Sequence, residues 1–204
     1  MPVPGPTLVL LDTNAYLRLA KRVRPMLGVE FGQKRYMLTI LEDVEAEVRH
    51  SGRLRFLYPW FDADPQLAEE RMASRVRLSR DEREALDTAA RFLRDWVLQD
   101  VPRFTSRGRS PPGPADCRAL AFGQIRTAIV VTDDLGMHEL AREFRIAVWH
   151  GWEMLAKMRS AKVVSDAQVR DIYDALEANG DLTETWREAR HKALAKVFGK
   201  WPAP

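Results

Sequence analysis

The sequence predicts an α/β fold: a central parallel sheet of about four or five strands, helices on both faces, and a helical appendage at the C-terminus. Three observations lead there. Short apolar runs alternate with longer helix-spaced stretches, the pattern of strands joined by crossover helices. The apolar runs are continuous rather than alternating, as strands buried on both faces require. Two of them run straight into aspartate, at the carboxyl ends where open α/β sheets bind ligands.

Taken in order, residues 7–11 are an apolar run that reads as a buried strand, followed by a helix over 15–21. Residues 36–41 form a second strand, and 43–49 carry apolar residues at helical spacing. The stretch 66–100 is helical. Ser79 with Glu82 three residues later makes a capping box, and Leu86, Ala89, Ala90, Leu93, Trp96 and Val97 trace one apolar stripe. Gly108, Pro111, Pro112, Gly113 and Pro114 predict a loop over 103–115. A helix resumes over 116–124, where Ala119, Ala121 and Gly123 offer a face small enough to lie close on a sheet. The clearest strand is 128–132, followed by a helix (135–144), a short strand (147–149) and a helix (151–159). Beyond Val164, Ser165 and Gln168 form another capping box. Val169, Ile172, Tyr173 and Leu176 make a stripe that Asn179-Gly180 stops. Trp186, Ala189, Ala193, Leu194 and Val197 predict a last helix. The division expected is a domain over 1–160, with a helical insert at about 62–100 and the loop at 103–115, and an appendage over 161–204 docked on that domain or on a partner.

With 46% of its 204 residues hydrophobic and 30% charged, the chain can bury a real core, which excludes a disordered polymer. No apolar run approaches the roughly 20 residues of a membrane span, so no membrane partner is expected. Residues 1–6 lack the charged start and apolar stretch of a signal peptide. Cys117 is the only cysteine. An intrachain disulfide and Cys-rich zinc sites are thereby excluded, and the reducing cytoplasm is the expected setting. The net charge of +3 is modest, but basic residues cluster after the first strand, in the loop (Arg103, Arg107, Arg109) and near the C-terminus. Such clusters suit a phosphate backbone, and the loop arginines are candidate RNA contacts.

The chemistry gathers at the strand ends. Asp12 heads Asp12-Thr13-Asn14 after the first strand. Thr132-Asp133-Asp134 repeats the pattern after the third. Asp116 opens a helix at the same edge. Helix capping accounts for any one of these alone. Together they bring several carboxylates near one another, and a pair about 4 Å apart costs roughly 4 kcal/mol at an effective dielectric near 20. Without a cation some would have to protonate. All-oxygen ligands favour Mg²⁺ or Mn²⁺, and the expected chemistry is metal-assisted phosphodiester hydrolysis with Asn14 and Thr132 as hydrogen-bonding support.

Val9-Leu10-Leu11-Asp12-Thr13-Asn14, Asp116-Cys117-Arg118-Ala119-Leu120-Ala121 and Ile129-Val130-Val131-Thr132-Asp133-Asp134 together resemble the PIN-domain family, best populated by VapC-type ribonuclease toxins. The resemblance spans roughly residues 7–158. It implies a PIN-like three-layer fold and an endoribonuclease with Asp12, Asp116 and Asp134 as catalytic metal ligands, Asp133 being a neighbour and alternate. The family's fourth acid falls on Glu47, followed by Val48, or on Glu42, three residues after Thr39 as in another branch; Glu47 is preferred. The resemblance further implies an RNA substrate, a cognate antitoxin for the toxin branch, and often a homodimer. The long insert, the Pro-rich loop and the C-terminal helices depart from the short toxins. They leave open a nuclease outside any toxin–antitoxin pair, or a non-catalytic PIN-like scaffold. Phosphatases with an Asp nucleophile after strand one are excluded because Asn14 stands where their second Asp belongs. Receiver domains are excluded because the paired acids come late. There is no Gly-x-Ser-x-Gly, Walker loop or Gly-x-Gly-x-x-Gly.

Overall fold

A computed structural model describes residues 5–105 and 110–199 of the chain. It is α/β, built on five strands in the order β2 (Glu30–Phe31), β3 (Tyr36–Thr39), β1 (Thr7–Leu11), β4 (Ile129–Val131) and β5 (Val148–Trp149). β1 lies parallel to β3, Leu10 opposite Thr39, and parallel to β4, Leu11 opposite Val131. β5 extends the parallel set beside β4, while the two-residue β2 pairs antiparallel with β3. The chain moves to one side of β1 for β3 and then crosses to the other side for β4. The carboxyl end of β1 is therefore the switch point where such sheets open a crevice.

The continuous apolar run of β1 has a direct structural consequence. Val9 and Leu11, with Val131, face one core, while Leu10 and Val130 face another. Over the first core pack α1 (Thr13–Leu19), α2 (Glu42–His50), α4 (Trp60–Ala63), α5 (Pro65–Ser74), α10 (Gly151–Ser160), α11 (Asp166–Ala178) and α12 (Glu184–His191). Over the second lie α6 (Arg80–Gln99), α7 (Val101–Phe104), α8 (Pro114–Ile125) and α9 (Leu135–Glu143). The small face of α8 does meet the sheet closely. A Cβ on Gly123 would stand 2.8 Å from Val130 Cγ2, so a larger residue there must push helix and strand apart.

Local signals set the helix ends. Ser79 accepts from Glu82 N–H at 3.2 Å while the Glu82 carboxylate accepts from Ser79 N–H at 2.8 Å, closing the expected box at the start of α6. The same reciprocal pair between Ser165 and Gln168 starts α11. The helical stretch expected over 66–100 divides in two, because the chain turns extended after α5 and Val76 N–H bonds to the Ile40 carbonyl. Two short elements, α3 (Gly52–Leu57) and α4, fill a span left unassigned by periodicity. The last predicted helix is also two pieces, α12 and α13 (Ala195–Phe198), broken where Leu194 N–H turns back to the Ala189 carbonyl.

The C-terminal helices dock on the domain itself. Val169, Ile172, Tyr173, Leu176 and Trp186 are buried in the same core as β1 and α1. Burying one such side chain contributes about 1.5–3 kcal/mol, so this segment is a structural part of the first layer. Among the described residues no helix is long and apolar enough to cross a membrane.

Candidate functional site

Asp12 leaves β1 with its N–H still bonded to the Val131 carbonyl, then caps α1. Its Oδ1 accepts from Ala15 N–H at 2.5 Å. The strand-to-helix switch thus points a carboxylate into the crevice between β1 and β4. Asp134 does the same after β4, its Oδ1 accepting from Met137 N–H at 3.0 Å at the start of α9. Thr132, fully buried, accepts from Asp134 N–H at 3.1 Å and so fixes the turn. Asp116 sits in the first turn of α8, with Oδ2 accepting from Gly113 N–H at 2.7 Å. Glu47 reaches across from α2, its Oε2 accepting from the Thr13 hydroxyl at 2.6 Å.

Asp12, Glu47 and Asp116 line one cavity of about 20 Å³, about the size that holds one water-sized occupant. Glu42, on the exposed outer start of α2, lines neither this cavity nor the two grooves beside it. As the side chains stand, no three His, Cys, Asp or Glu among the described residues are gathered tightly enough to hold a metal ion. The donor set nevertheless suits a hard cation. Asp116, Asp134 and Glu47 each tie down one oxygen and leave the other without a hydrogen bond, and all the donors are oxygen.

Two of these carboxylates are shifted by their surroundings. Burial pushes Asp12 up to about 7. The Thr132 hydroxyl and the Ala15 N–H work against that shift, and the charges of Asp133 and Asp116 add to it. Burial likewise pushes Asp116 up to about 6, opposed by the Gly113 N–H and the Arg94 charge and reinforced by Asp134 and Glu47. Neither carboxylate has an ion-pair partner among the described residues.

Asp133 is unlike its neighbour Asp134. It turns into the first core, where Oδ2 accepts from Arg18 Nη1 at 2.9 Å and from Trp186 Nε1 at 2.8 Å, and Oδ1 accepts from Gly151 N–H at 3.1 Å. Burial alone would raise this carboxyl; His150, the Arg18 charge, Trp186 and Gly151 outweigh it and hold it below the usual range. His150 Nδ1 lies 3.5 Å from Oδ1, too far for a good hydrogen bond, so Arg18 and Trp186 carry most of this. A Cβ on Gly151 would stand 2.8 Å from the Trp186 ring, which is why the strand-to-helix turn there is glycine. Asp133 therefore ties the C-terminal segment to the site.

Asn14 is exposed at the rim of a groove shared with Glu47. Arg103 Nη2 is held by Glu139 at 3.2 Å and Glu143 at 2.5 Å. Arg107 and Arg109 lie outside the described residues. His138 is half-buried, stacked on His150 at 3.9 Å, with Nε2 2.9 Å from the Thr132 carbonyl.

Two participants carried no sequence signal. Thr13 holds Glu47 in place; Arg94, on the polar edge of the α6 stripe, donates to the Pro112 carbonyl at 2.6 Å and is the cation nearest in effect to Asp116. Arg94 also lines a groove of about 990 Å³ between α2, α6 and the start of α8, with Glu47, His50, Arg91, Asp116 and Arg118. A second groove, of about 530 Å³, runs from Glu47 past Asn14 toward the turn after α11. No protein-family model matches the chain, and no curated protein matches it.

Proposed function

We propose that this chain is a metal-dependent endoribonuclease of the PIN-domain type, using Mg²⁺ or Mn²⁺ held by Asp12, Glu47, Asp116 and Asp134. The observation that carries it is four carboxylates, from two strand ends, a helix start and the body of α2, brought to the carboxyl edge of one sheet. Burial raises two of them, neither with an ion-pair partner among the described residues, and three have one oxygen without a hydrogen bond. The motif resemblance and the strand-end placement of Asp12 and Asp134 support the PIN assignment over other nuclease folds.

A bound divalent ion would supply polarisation of the scissile phosphate and neutralisation of the leaving oxygen. The chain's own residues do the rest. The backbone N–H groups of Ala15, Gly113 and Met137 fix the three aspartates before any ligand arrives. Thr132 fixes the turn that presents Asp134, and Thr13 fixes Glu47. The groove lined by Arg91 and Arg94 offers positive charge to a phosphate backbone on one side of the acids.

The test is cleavage of single-stranded RNA in Mn²⁺ by the purified chain. Asp12→Asn and Asp134→Asn keep their helix caps, since Asn caps as well as Asp, yet each should lower the rate by roughly 100-fold or more. Unchanged cleavage in both variants ends this reading. The narrower role, a VapC-like toxin held by an antitoxin, rests on the resemblance alone. A small DNA-binding protein encoded immediately upstream would support it, and harmless overexpression in a bacterial host would count against it.

A further inference from the structure

The 530 Å³ groove beside Glu47 is built from different chemistry than the wider one. In the wide groove the arginines already have partners: Arg118 pairs with Asp43 and Asp87, while Arg91 and Arg94 keep their charge but donate to the Asp87 and Pro112 carbonyls. In the smaller groove the side chains of Asn14, Arg53, Tyr58 and Asn179 make no hydrogen bond or ion pair with any described residue. Four unpartnered polar groups on one cleft form a set waiting for a ligand, and their types are informative. A phenol ring offers a stacking face, amides offer paired donors and acceptors, and a guanidinium offers a fork for phosphate.

The set is also held in place. The Tyr58 ring packs edge-on against Trp60, with centroids 6.1 Å apart at 85°. Asn179 closes α11, and Gly180 beside it adopts φ +69°, a left-handed turn that suits glycine. α11 is in turn anchored through the core, and its Tyr173 hydroxyl donates to the carbonyl of Trp186, whose ring nitrogen donates to Asp133. Asp181 on the rim disfavours a phosphate at that end. It suits the amino groups of a base edge, and it leaves Arg53 as the phosphate contact. Glu47 lines this cleft, the wide groove and the small acidic cavity alike, so whatever fills the cleft abuts the carboxylates.

We propose that this cleft is a base-binding subsite for the nucleotide next to the scissile phosphate of a single-stranded RNA, with Tyr58 stacking on the base, Asn179 on its edge and Arg53 on its phosphate. The inference rests on the nuclease reading above and adds substrate selection to it. A base must be free of its helix to enter, so duplex RNA is excluded. It also gives the C-terminal segment a part in recognition.

Arg53→Ala and Asn179→Ala test it, because both side chains are exposed and unpartnered and their loss leaves the fold intact, as unchanged thermal unfolding would verify. Steady-state cleavage of a mixed-sequence single-stranded RNA in Mn²⁺ is measured beside anisotropy titrations of a labelled oligonucleotide. Each variant should raise KM and Kd by roughly fivefold or more, with kcat nearly unchanged and the base preference beside the cut relaxed in Asn179→Ala. If the wild type cleaves and both variants keep its KM and its base preference, the subsite is wrong and the nuclease reading stands. If the wild type binds RNA without cleaving it and both variants weaken binding, the subsite stands and the nuclease reading falls. A wild type that neither binds nor cleaves overturns both.

Discussion

Two buried acidic centres share the carboxyl edge of this sheet, and they are opposites. Asp133 is surrounded by donors: Arg18, Trp186 and the Gly151 N–H meet both of its oxygens, and its carboxyl stays ionised below the usual range. Asp12 is as deep in the protein and Asp116 is half-buried, but neither has an ion-pair partner among the described residues. Backbone N–H groups and other acids surround them, the Arg94 charge acts on Asp116, and burial lifts them to about 7 and about 6. A buried carboxylate that the protein has compensated is a fastener. One left uncompensated is costly to the fold, and a protein keeps it for something other than folding. Asp133 and Asp134 are adjacent in sequence, yet Asp133 spends both oxygens on donors while Asp134 keeps one without a hydrogen bond.

The largest effect is expected at Asp133. Asp133→Ala leaves the Arg18 guanidinium and the Trp186 N–H buried without an acceptor, and removing one partner of a buried ion pair costs about 3–5 kcal/mol. Urea unfolding followed by tryptophan fluorescence should register a loss of that size. A loss below about 1 kcal/mol, the surface-pair range, would mean that the hub is dispensable and that the C-terminal helices are held by apolar burial alone.

The uncompensated pair makes the opposite prediction for pH. Both carboxyls bind protons more tightly folded than unfolded, since their folded values lie above the ordinary 3.8. Between about pH 4 and pH 7 the native state thus carries the extra protons, and stability falls as pH rises. The metal-free chain should lose on the order of a few kcal/mol from pH 5 to pH 8 through these two groups. Mn²⁺ should restore stability at pH 8 and do little at pH 5, where protons compete for the same oxygens. Thermal melts across that range, with and without Mn²⁺, decide it; a flat metal-free profile would mean that water compensates the pair.

How far the sequence anticipated this follows from the range of each interaction. Residues 7–11 and 128–132 were legible as strands because burial on both faces leaves an uninterrupted apolar run. Asp12, Asp116 and Asp134 were legible because a carboxylate at a helix start has a local pattern. The capping boxes at Ser79 and Ser165 span three residues and were equally plain. Glu47 was one of two choices because nothing local distinguishes it from Glu42; a contact with Thr13, 34 residues away, does. The Asp133 hub joins Arg18 across 115 residues and Trp186 across 53, so no window of sequence contains it. β2 has two residues, too few for any periodicity, and Arg94 is one of several polar positions on an amphipathic helix with nothing local to mark it.

The smallest expected effect separates the two centres most cleanly, because the same substitution is made in both. Asp→Asn preserves size and removes charge. At position 12 it keeps the α1 cap, because the amide oxygen can still accept from Ala15, and it deletes a buried charge that nothing offsets. The metal-free Asp12→Asn chain should therefore be more stable than wild type at pH 8, by about 1–2 kcal/mol, while losing its response to Mn²⁺. At position 133 the same change removes the charge that Arg18 needs and should destabilise the chain at every pH from 5 to 8. Paired melts of the two variants read this directly. If both destabilise by similar amounts, Asp12 is a fastener too, and the proposed metal site loses the charge imbalance that supports it.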